Sequence, residues 1–253
     1  MGTGVKFAAA GILVVLGAMP QSAALAADLV ILTNQGATPG VKELAAAFSR
    51  TSGHKVTVIQ AEDAVLEQRL NSGTADLITG NPGPIAELVR NGKVVASTVT
   101  PFVLAGLGLS VRAGAPKPDI STPEAYKAAL LKAKTIGYSR GCSGTNVAAG
   151  IAELGLTEPL KAKTIFTNGG PVTDYVARGD FEIGIQQTNI MAGVPGTDFV
   201  GPLPGNLNKP CQSNVGVLTA SKQAEAARAM IRFMISPEAA PLLRKTHVEP
   251  FKP

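Results

Sequence analysis

The segment at residues 138–145 (YSRGCSGT) carries the densest set of groups in the chain that could bind an anion. It follows a β-rich run and precedes a helical pattern, so it joins a strand end to a helix start, where backbone N–H groups point outward. Arg140 adds a guanidinium, Ser143 and Thr145 add hydroxyls, and Gly144 lets the backbone approach a guest closely. The segment therefore predicts a cradle for a phosphate-like group or a carboxylate. The alternative is an ordinary serine N-cap with the arginine facing solvent.

A second candidate is the turn at residues 33–38 (TNQGAT), which follows the first β-rich run of the chain. Ligands of open α/β sheets bind at the carboxyl ends of strands, so Gly36, Ala37 and Thr38 could supply backbone or hydroxyl donors. Asn and Gly residues also make plain turns, and that interpretation explains the same residues.

A third candidate is the run at residues 185–189 (IQQTN), where neutral hydrogen-bonding side chains follow another strand pattern. Neutral donors suit a polar solute, and Gln187 is the residue expected to complete its hydrogen bonds. Amides exposed on the surface are the alternative.

Groups that could carry out catalysis are few. Glu62 and Asp63 follow the second strand pattern, where paired carboxylates could do acid–base chemistry or simply balance a helix N-terminus. The two histidines, His54 and His247, lie in a polar turn and in the C-terminal tail, and we expect both at the surface. The sequence contains no Gly-x-Ser-x-Gly, His-Glu-x-x-His or Cys-x-x-Cys motif and no Walker-type loop, so neither a hydrolase nor a metal site is indicated.

Cys142 and Cys211 are the only cysteines. In an exported chain they could form one disulfide. Cys142 could instead be a reactive thiol, because it lies near a predicted helix N-terminus, where the dipole lowers a thiol pKa.

Composition excludes several classes of protein. With 45% hydrophobic and 16% charged residues over 253 positions, the chain can bury a core of one large or two small domains. Two cysteines are too few for a disulfide-rich scaffold. The net charge of +5 is scattered and aromatic residues make up only 4%, so a nucleic-acid partner is not expected.

The N-terminal 26 residues have the pattern of a secretory signal peptide. Lys6 precedes an apolar stretch that ends at Pro20, and Ala24 and Ala26 are the small residues that signal peptidase requires. A membrane anchor is the alternative, but the apolar run is shorter than the roughly 20 residues of a spanning helix. We therefore expect export to the periplasm with cleavage near Ala26.

Strand and helix patterns alternate along the rest of the chain, which favours mainly parallel sheets with helices on both faces. Two extended crossings, near residues 102–112 and 203–217, divide these α/β units into two groups with a cleft between them. A Pro/Gly-rich stretch at residues 194–210 precedes the last of the expected strands. Ser221 is expected to cap a helix that runs through Ile235. Strands are expected at residues 28–33, 55–60, 75–79, 135–139, 163–167, 182–186 and 215–219. Helices are expected over residues 41–48, 64–70, 84–91, 122–133, 143–154, 172–178, 221–235 and 237–245.

Several of these segments together resemble the solute-binding proteins of ABC importers, in the molybdate-binding-like branch of the type II periplasmic binding proteins. The segments are DLVILTNQGATPGVKELAAAFSRTSGHKVTV, SGTADLITGNPGPIAELVRNGKV, TIGYSRGCSGTNVAAGIAELGL, PVTDYVARGDFEIGIQQTNIM, VPGTDFVGPLPGNL and ARAMIRFMISPEAAPLLRKTHVEPF. The resemblance implies two α/β lobes joined by two crossover strands, with lobe one at residues 27–107 and 206–253 and lobe two at residues 108–205. It also implies delivery of a solute to an inner-membrane permease, and a monomer.

The ligand residues of that branch carry over only in part. Its members typically place a serine where this chain has Gly36, a second serine where Glu62 and Asp63 stand, and a tyrosine near Gln186 and Gln187. A carboxylate beside a doubly charged oxyanion is unfavourable. An organic acid therefore competes with a molybdate-like oxyanion as the expected ligand.

The sequence thus predicts a periplasmic binding protein that captures a small anion by hinge closure, without catalysis, cofactor or metal. A ligand-sensing partner of a membrane receptor and an exported enzyme on the same scaffold are the alternatives. The expected ligand-binding residues are Gly36, Ala37, Thr38, Asp63, Arg140, Ser143, Gly144, Thr145 and Gln187.

Overall fold

The computed structural model describes residues 1–2, 26–61 and 63–252, except for the side chain of Asp63. The expected signal peptide falls almost entirely outside these residues, as does Glu62. Within them, no helix is both long enough and apolar enough to cross a membrane.

Strands and helices alternate for most of the chain, as the sequence pattern predicts. The strands are Asp28–Thr33 (β1), Lys55–Gln60 (β2), Leu77–Gly80 (β3), Thr100–Ala105 (β4), Leu107–Arg112 (β5), Ile136–Tyr138 (β6), Thr164–Phe166 (β7), Ile183–Gln187 (β8), Thr197–Pro202 (β9), Cys211–Val217 (β10) and Glu249–Pro250 (β11). The helices are Thr38–Ser52 (α1), Asp63–Ser72 (α2), Pro82–Arg90 (α3), Pro123–Lys132 (α4), Cys142–Glu153 (α5), Thr157–Leu160 (α6), Val172–Arg178 (α7), Thr188–Met191 (α8), Ala224–Met234 (α9) and Ala239–Lys245 (α10).

The strands form two sheets, one in each lobe. The first sheet has the order β11-β4-β10-β3-β1-β2, and the second has the order β7-β6-β8-β5-β9. Pairing is parallel between β1 and its neighbours β2 and β3, and between β6 and its neighbours β7 and β8. The strands next to the crossings, β4, β5, β9 and β10, pair antiparallel. The two-lobed α/β fold is therefore confirmed. Both sheets are mixed, because the strands of the α/β units pair in parallel and the strands next to the crossings pair antiparallel.

Each lobe has its own apolar core. In lobe one, Leu29 and Ile31 of β1 face one buried cluster, while Leu32 belongs to a second cluster on the other face of the sheet. Burial on both faces explains why this strand is almost continuously apolar. In lobe two, Leu107 and Leu109 of β5 belong to a separate cluster that also includes residues of α4, α5 and β8.

The chain crosses between the sheets at Gly106. The sequence pattern suggested one extended run over residues 102–112, but β4 ends in the first sheet and β5 begins in the second. The side chain of Asn208, on the returning segment, holds this point, because its Oδ1 accepts a hydrogen bond of 2.6 Å from the N–H of Leu107. Leu107 pairs with Gln187 of the second sheet. The lobe boundaries at residues 107/108 and 205/206 stay a prediction.

The structure differs from the sequence patterns in two further places. Residues 197–202 lie in the Pro/Gly-rich stretch, to which no element was assigned, and they form β9, an edge strand that pairs with β5. Pro and Gly weaken a strand signal, and they are tolerated at a sheet edge. Helix α9 begins at Ala224 and not at Ser221. The Ser221 hydroxyl lies before the helix, where it donates to Asp76 Oδ1 at 2.7 Å and accepts from the N–H of Gln223 at 3.1 Å.

Candidate functional site

A cavity of about 770 Å³ lies between the two lobes. Lobe one contributes the residues after β1, β2 and β3 together with part of α2 and α3, and lobe two contributes the residues after β6, β7 and β8. Because β1 and β6 each lie between two parallel neighbours, the carboxyl ends of all six strands meet at this cleft. The lining residues are Thr33, Asn34, Gln35, Gly36, Ala61, Leu66, Ile78, Thr79, Gly80, Asn81, Pro84, Ile85, Leu88, Ser139, Arg140, Gly141, Cys142, Ser143, Thr167, Asn168, Gly169, Gly170, Gln186 and Gln187.

The loop after β1 places residues 33–36 in the cavity lining and turns Ala37 and Thr38 away from it. Asn34 organises this loop, because its Oδ1 accepts from the N–H of Ala37 at 3.2 Å and its carbonyl accepts from the Thr38 hydroxyl at 2.8 Å. Ala37 is buried in the lobe-one core. Ala37 and Thr38, both expected to bind the ligand, therefore lie outside the cavity lining.

The loop after β6 carries the charged group of the site. The Arg140 guanidinium stacks on the Phe166 ring, with its carbon 4.3 Å from the ring centroid. The Phe166 ring in turn packs edge-on against Tyr138, at 5.1 Å between centroids. Burial raises the pKa of the Tyr138 phenol. The aromatic pair thus supports the guanidinium at the cavity wall.

Of the three candidate residues at the start of α5, one lines the cavity and two do not. Ser143 lines the cavity, and its hydroxyl lies 3.1 Å from that of Ser139. Gly144 is buried behind the lining, where a β-carbon would overlap the carbonyl oxygen of Ser139. Thr145 is exposed and its hydroxyl donates to the Gly141 carbonyl at 3.3 Å. Gly144 and Thr145 therefore lie outside the lining. Gly144 allows the close approach of the Ser139 carbonyl, and Thr145 provides a hydrogen bond to the Gly141 carbonyl.

A disulfide joins Cys142 at the start of α5 to Cys211 at the start of β10. This bond ties the loop that carries Arg140 to the strand by which the chain returns to the first sheet. The Asn146 side chain reinforces the connection, since its Nδ2 donates to the carbonyl of Lys209 at 3.0 Å. Because the sulfur of Cys142 is bonded, it is not a thiol nucleophile in this structure.

The lobes touch directly beside the cavity. Gln186 Nε2 donates to Gln35 Oε1 at 3.2 Å, and Gln186 Oε1 accepts from the N–H of Val172 at 2.9 Å. Asn189 Nδ2 donates to the carbonyl of Gly36 at 2.7 Å. The bonds to Gln35 and Gly36 connect the loop after β1 with the end of β8 and the start of α8, so that loop and Gln187 are held face to face.

The charge of the described cavity lining is positive only. Arg140 is the single ionisable side chain among the described lining residues, and no carboxylate of the described part of the chain lines the cavity. Asp63 begins α2, but its side chain and Glu62 lie outside the described residues. Helices α3 and α5 begin in lining loops, where their N-termini favour negative charge. The described cavity thus suits an anion held by one guanidinium and neutral donors.

Sequence reasoning missed two lining loops, at residues 79–81 and 167–170. Both follow expected strands, so their position at a strand end was the signal that could have found them. Neither loop contains a charged residue or a known motif, and for that reason they did not stand out.

His54 was expected at the surface, but it is buried. Its ring stacks on Phe48, and its Nδ1 accepts from the N–H of Ala27 at 3.0 Å. This histidine therefore fastens the start of β1, far from the cavity lining. No group of three His, Cys, Asp or Glu side chains in the part of the chain that the structure describes could hold a metal ion.

Comparison with known proteins identifies the scaffold. The family model described as bacterial extracellular solute-binding protein matches residues 29–249. Aconitate isomerase of a Pseudomonas species is 28% identical over 229 residues, covering 88% of this chain and 87% of that protein. The molybdate-binding protein ModA of Azotobacter vinelandii is 24% identical over 255 residues, covering 94% of this chain and 97% of that protein.

A solved structure shows the same fold. The periplasmic molybdate-binding protein of Azotobacter vinelandii superposes with a TM-score of 0.69 at 18% identity, covering 89% of this chain and 99% of that one. The structural similarity and the family match both extend over most of the described residues. The protein belongs to the bacterial extracellular solute-binding proteins.

Proposed function

We propose that this protein is the periplasmic binding component of an ABC importer and captures a small organic carboxylate between its lobes. The observation that carries the proposal is the charge of the cleft: Arg140 is the single ionisable side chain in the described lining, surrounded by neutral hydrogen-bonding groups. One guanidinium balances one carboxylate and can hold both of its oxygens at once.

Two features favour an organic acid over a tetrahedral oxyanion. The cavity of about 770 Å³ falls in the range of sites for organic ligands, whereas a five-atom oxyanion would fill a small part of it. In the first loop, Gly36 stands where molybdate binders resembling this chain place a serine hydroxyl. One relative is named for an organic acid, aconitate, and another for molybdate, so both classes belong in the test.

Capture would proceed by closure of the lobes on the solute. Ligand groups bound to Arg140 and Ser143 of lobe two, and to the loop at Gly36 of lobe one, favour the closed state because only that state makes both sets of contacts. Gln187 lies at the contact between the lobes, where it can complete the hydrogen bonds of a bound solute. A sensing role would use the same closure, and a permease encoded beside the gene would favour transport.

An isomerase is the second candidate, because the relative named aconitate isomerase aligns over most of both chains. Proton transfer by an isomerase needs a general base within hydrogen-bond reach of the substrate. The described lining offers Arg140 and neutral groups only, and Cys142 is bonded to Cys211. We therefore expect binding without turnover, and incubation of cis-aconitate with the protein followed by NMR tests this. Appearance of the trans isomer would establish the enzyme.

A thermal-shift panel tests the proposed function. The mature protein is heated with molybdate, tungstate, sulfate, phosphate and mono-, di- and tricarboxylates at equal ionic strength. A carboxylate at a hundred times its Kd stabilises the folded state by about 2.7 kcal/mol, and this raises the melting temperature by roughly 5–10 °C.

Two arginine variants make the panel specific. Arg140→Ala removes the cation of the cavity, whereas Arg178→Ala removes an arginine that also stacks on an aromatic ring, Tyr175, but lies outside the lining. The shift should vanish in Arg140→Ala and persist in Arg178→Ala. A shift with molybdate and tungstate alone would contradict the carboxylate assignment, and a shift that both variants retain would place the anion elsewhere.

A further inference from the structure

The aliphatic side chains of the cavity all come from one lobe. In the described lining, lobe two presents hydroxyls, amides, glycines, the disulfide and Arg140, with no aliphatic side chain. Lobe one adds to its polar loops a continuous set of aliphatic residues from the end of β2, from β3 and from the faces of α2 and α3. We call this set the apolar wall; it consists of Ala61, Leu66, Ile78, Pro84, Ile85 and Leu88.

The apolar wall is the edge of a core cluster that reaches the cavity. Ala61, Ile78 and Ile85 are buried at the centre of that cluster, and Leu66 and Leu88 pack against it while staying half-buried. Apolar surface left against water is unfavourable by about 25 cal/mol per Å². A ligand that covers Leu66 and Leu88 would therefore gain free energy that a wholly polar solute cannot gain.

We propose that the occupant is an amphipathic monocarboxylate, with its carboxylate at Arg140 and its hydrocarbon body on the apolar wall. The inference rests on the proposed function and narrows it, since a polycarboxylate would set oxygen atoms against Leu66 and Leu88, and a compact oxyanion at Arg140 would leave both side chains uncovered. Burying a charged or polar group there without a hydrogen-bond partner is costly. The site has one cation, Arg140, and one hydrocarbon surface, the apolar wall. A monocarboxylate has one negative charge and one apolar chain, so it can contact both.

A series of straight-chain acids tests this inference. Calorimetric titration of the mature protein with acetate, butanoate, hexanoate and octanoate keeps the charge constant while the hydrocarbon lengthens. Kd should fall about fourfold for each CH₂ that reaches the apolar wall. A Kd that stays constant or rises along the series overturns the proposal.

Two neighbouring positions on α2 provide matched variants. Leu66→Ser puts a hydroxyl into the apolar wall, whereas Val65→Ser changes an exposed residue outside the lining. Leu66→Ser should weaken hexanoate binding by about fivefold and leave acetate binding unchanged, and Val65→Ser should change neither. Leu66 and Leu88 both also pack on the core cluster, so Leu88→Ala on α3 serves as a second, independent wall variant with the same expected pattern. Equal loss for acetate and hexanoate in both wall variants would contradict a role in ligand recognition.

The outcomes separate this inference from the proposed function. If citrate, cis-aconitate or phosphate binds more tightly than hexanoate and needs Arg140, the amphipathic ligand is wrong and the anion-binding function stands. If hexanamide binds as tightly as hexanoate, the carboxylate has no role and both are wrong. If none of these solutes binds, both are also overturned.

Discussion

The side chain of Gln187 occupies the space into which a side chain at residue 36 would point. A β-carbon built on Gly36 would stand 2.8 Å from Gln187 Nε2, closer than carbon and nitrogen atoms normally approach. The two residues come from different lobes, so the absence of a side chain on one lets an amide of the other enter the site. Gln187 thereby brings hydrogen-bonding atoms of lobe two to the cavity lining beside Gly36.

Replacing Gly36 should disturb closure. In Gly36→Ser the new side chain must displace the Gln187 amide, and overpacking of this kind is unfavourable by about 1–3 kcal/mol. We expect ligand affinity to fall roughly tenfold in calorimetric titrations. Gly141→Ala is the control, because it adds a β-carbon in the opposite lining loop where no atom lies within 4 Å. An unchanged Kd in Gly36→Ser would show that the lobes do not approach here in the bound state.

Gly144 should be essential for the fold of the α5 N-terminus. A β-carbon there overlaps the carbonyl oxygen of Ser139, a backbone atom that cannot move without shifting the lining loop. Gly144→Ala should lower the unfolding free energy by about 3 kcal/mol in urea titrations. Gly83→Ala in α3, where no atom lies within 4 Å, should leave the unfolding free energy nearly unchanged. Equal stability of the two variants would contradict the packing described for Ser139.

The disulfide should contribute strongly to stability. Cys142 and Cys211 are 69 residues apart, and closing a loop of that length restricts the unfolded chain by about 4 kcal/mol. The double variant Cys142→Ser with Cys211→Ser should melt roughly 10 °C below the natural protein in calorimetry. Reductant should lower the melting temperature of the natural protein and have no effect on the variant. A variant as stable as the oxidised protein would overturn this expectation.

Alkaline conditions should destabilise lobe two. Burial, with a smaller effect from Tyr138, raises the pKa of Tyr126 well above its usual range, and burial also raises the pKa of Tyr138. An unfolded tyrosine loses its proton near pH of about 10, whereas these two keep theirs in the folded protein. The folded state then binds more protons than the unfolded state, so stability is complete below that pH and falls above it.

Tyr126→Phe tests the alkaline effect. It removes one buried titrating group, and the urea midpoint of the variant should fall less steeply between pH values of about 9.5 and 11 than that of the natural protein. Tyr175→Phe is the control, a change at a half-buried tyrosine of the same lobe whose hydroxyl bonds to the loop at residues 168–169. Identical pH profiles for the natural protein and Tyr126→Phe would show that Tyr126 does not carry the effect.

Much of the architecture could be predicted from the alternation of strand and helix patterns. The three expected strands that became β1, β2 and β3, and their counterparts in lobe two, were located because each is apolar and is followed by a turn. The antiparallel half of each sheet was harder to predict. A break at Gly106 sends two adjacent apolar strands into different lobes, and it is held by a hydrogen bond that the N–H of Leu107 donates to Asn208, about a hundred residues away. The local pattern of apolar and polar residues cannot indicate a contact between residues so far apart in the chain.

The candidate site could be predicted in part, from residues that follow strand ends. Arg140, Ser143, Gly36 and Gln187 were predicted to bind a ligand and line the cavity; that they bind a ligand stays a prediction. The orientation of Thr38 could not be predicted, because it depends on which acceptor, the carbonyl of Asn34 or a ligand, its hydroxyl meets. The apolar wall was also missed, since a core leucine and a ligand-facing leucine have the same helical spacing.

The most direct test of an anion held at Arg140 is a calorimetric titration of the mature protein with the carboxylate that stabilises it most. The measured quantity is the ratio of Kd between Arg140→Ala and the natural protein. A charge-assisted hydrogen bond contributes about 1.5–3 kcal/mol, so Kd should rise roughly 10- to 150-fold in Arg140→Ala and stay unchanged in Arg178→Ala. Equal Kd values in the natural protein and Arg140→Ala would contradict the account, because the cavity would then bind its ligand without its one described cation.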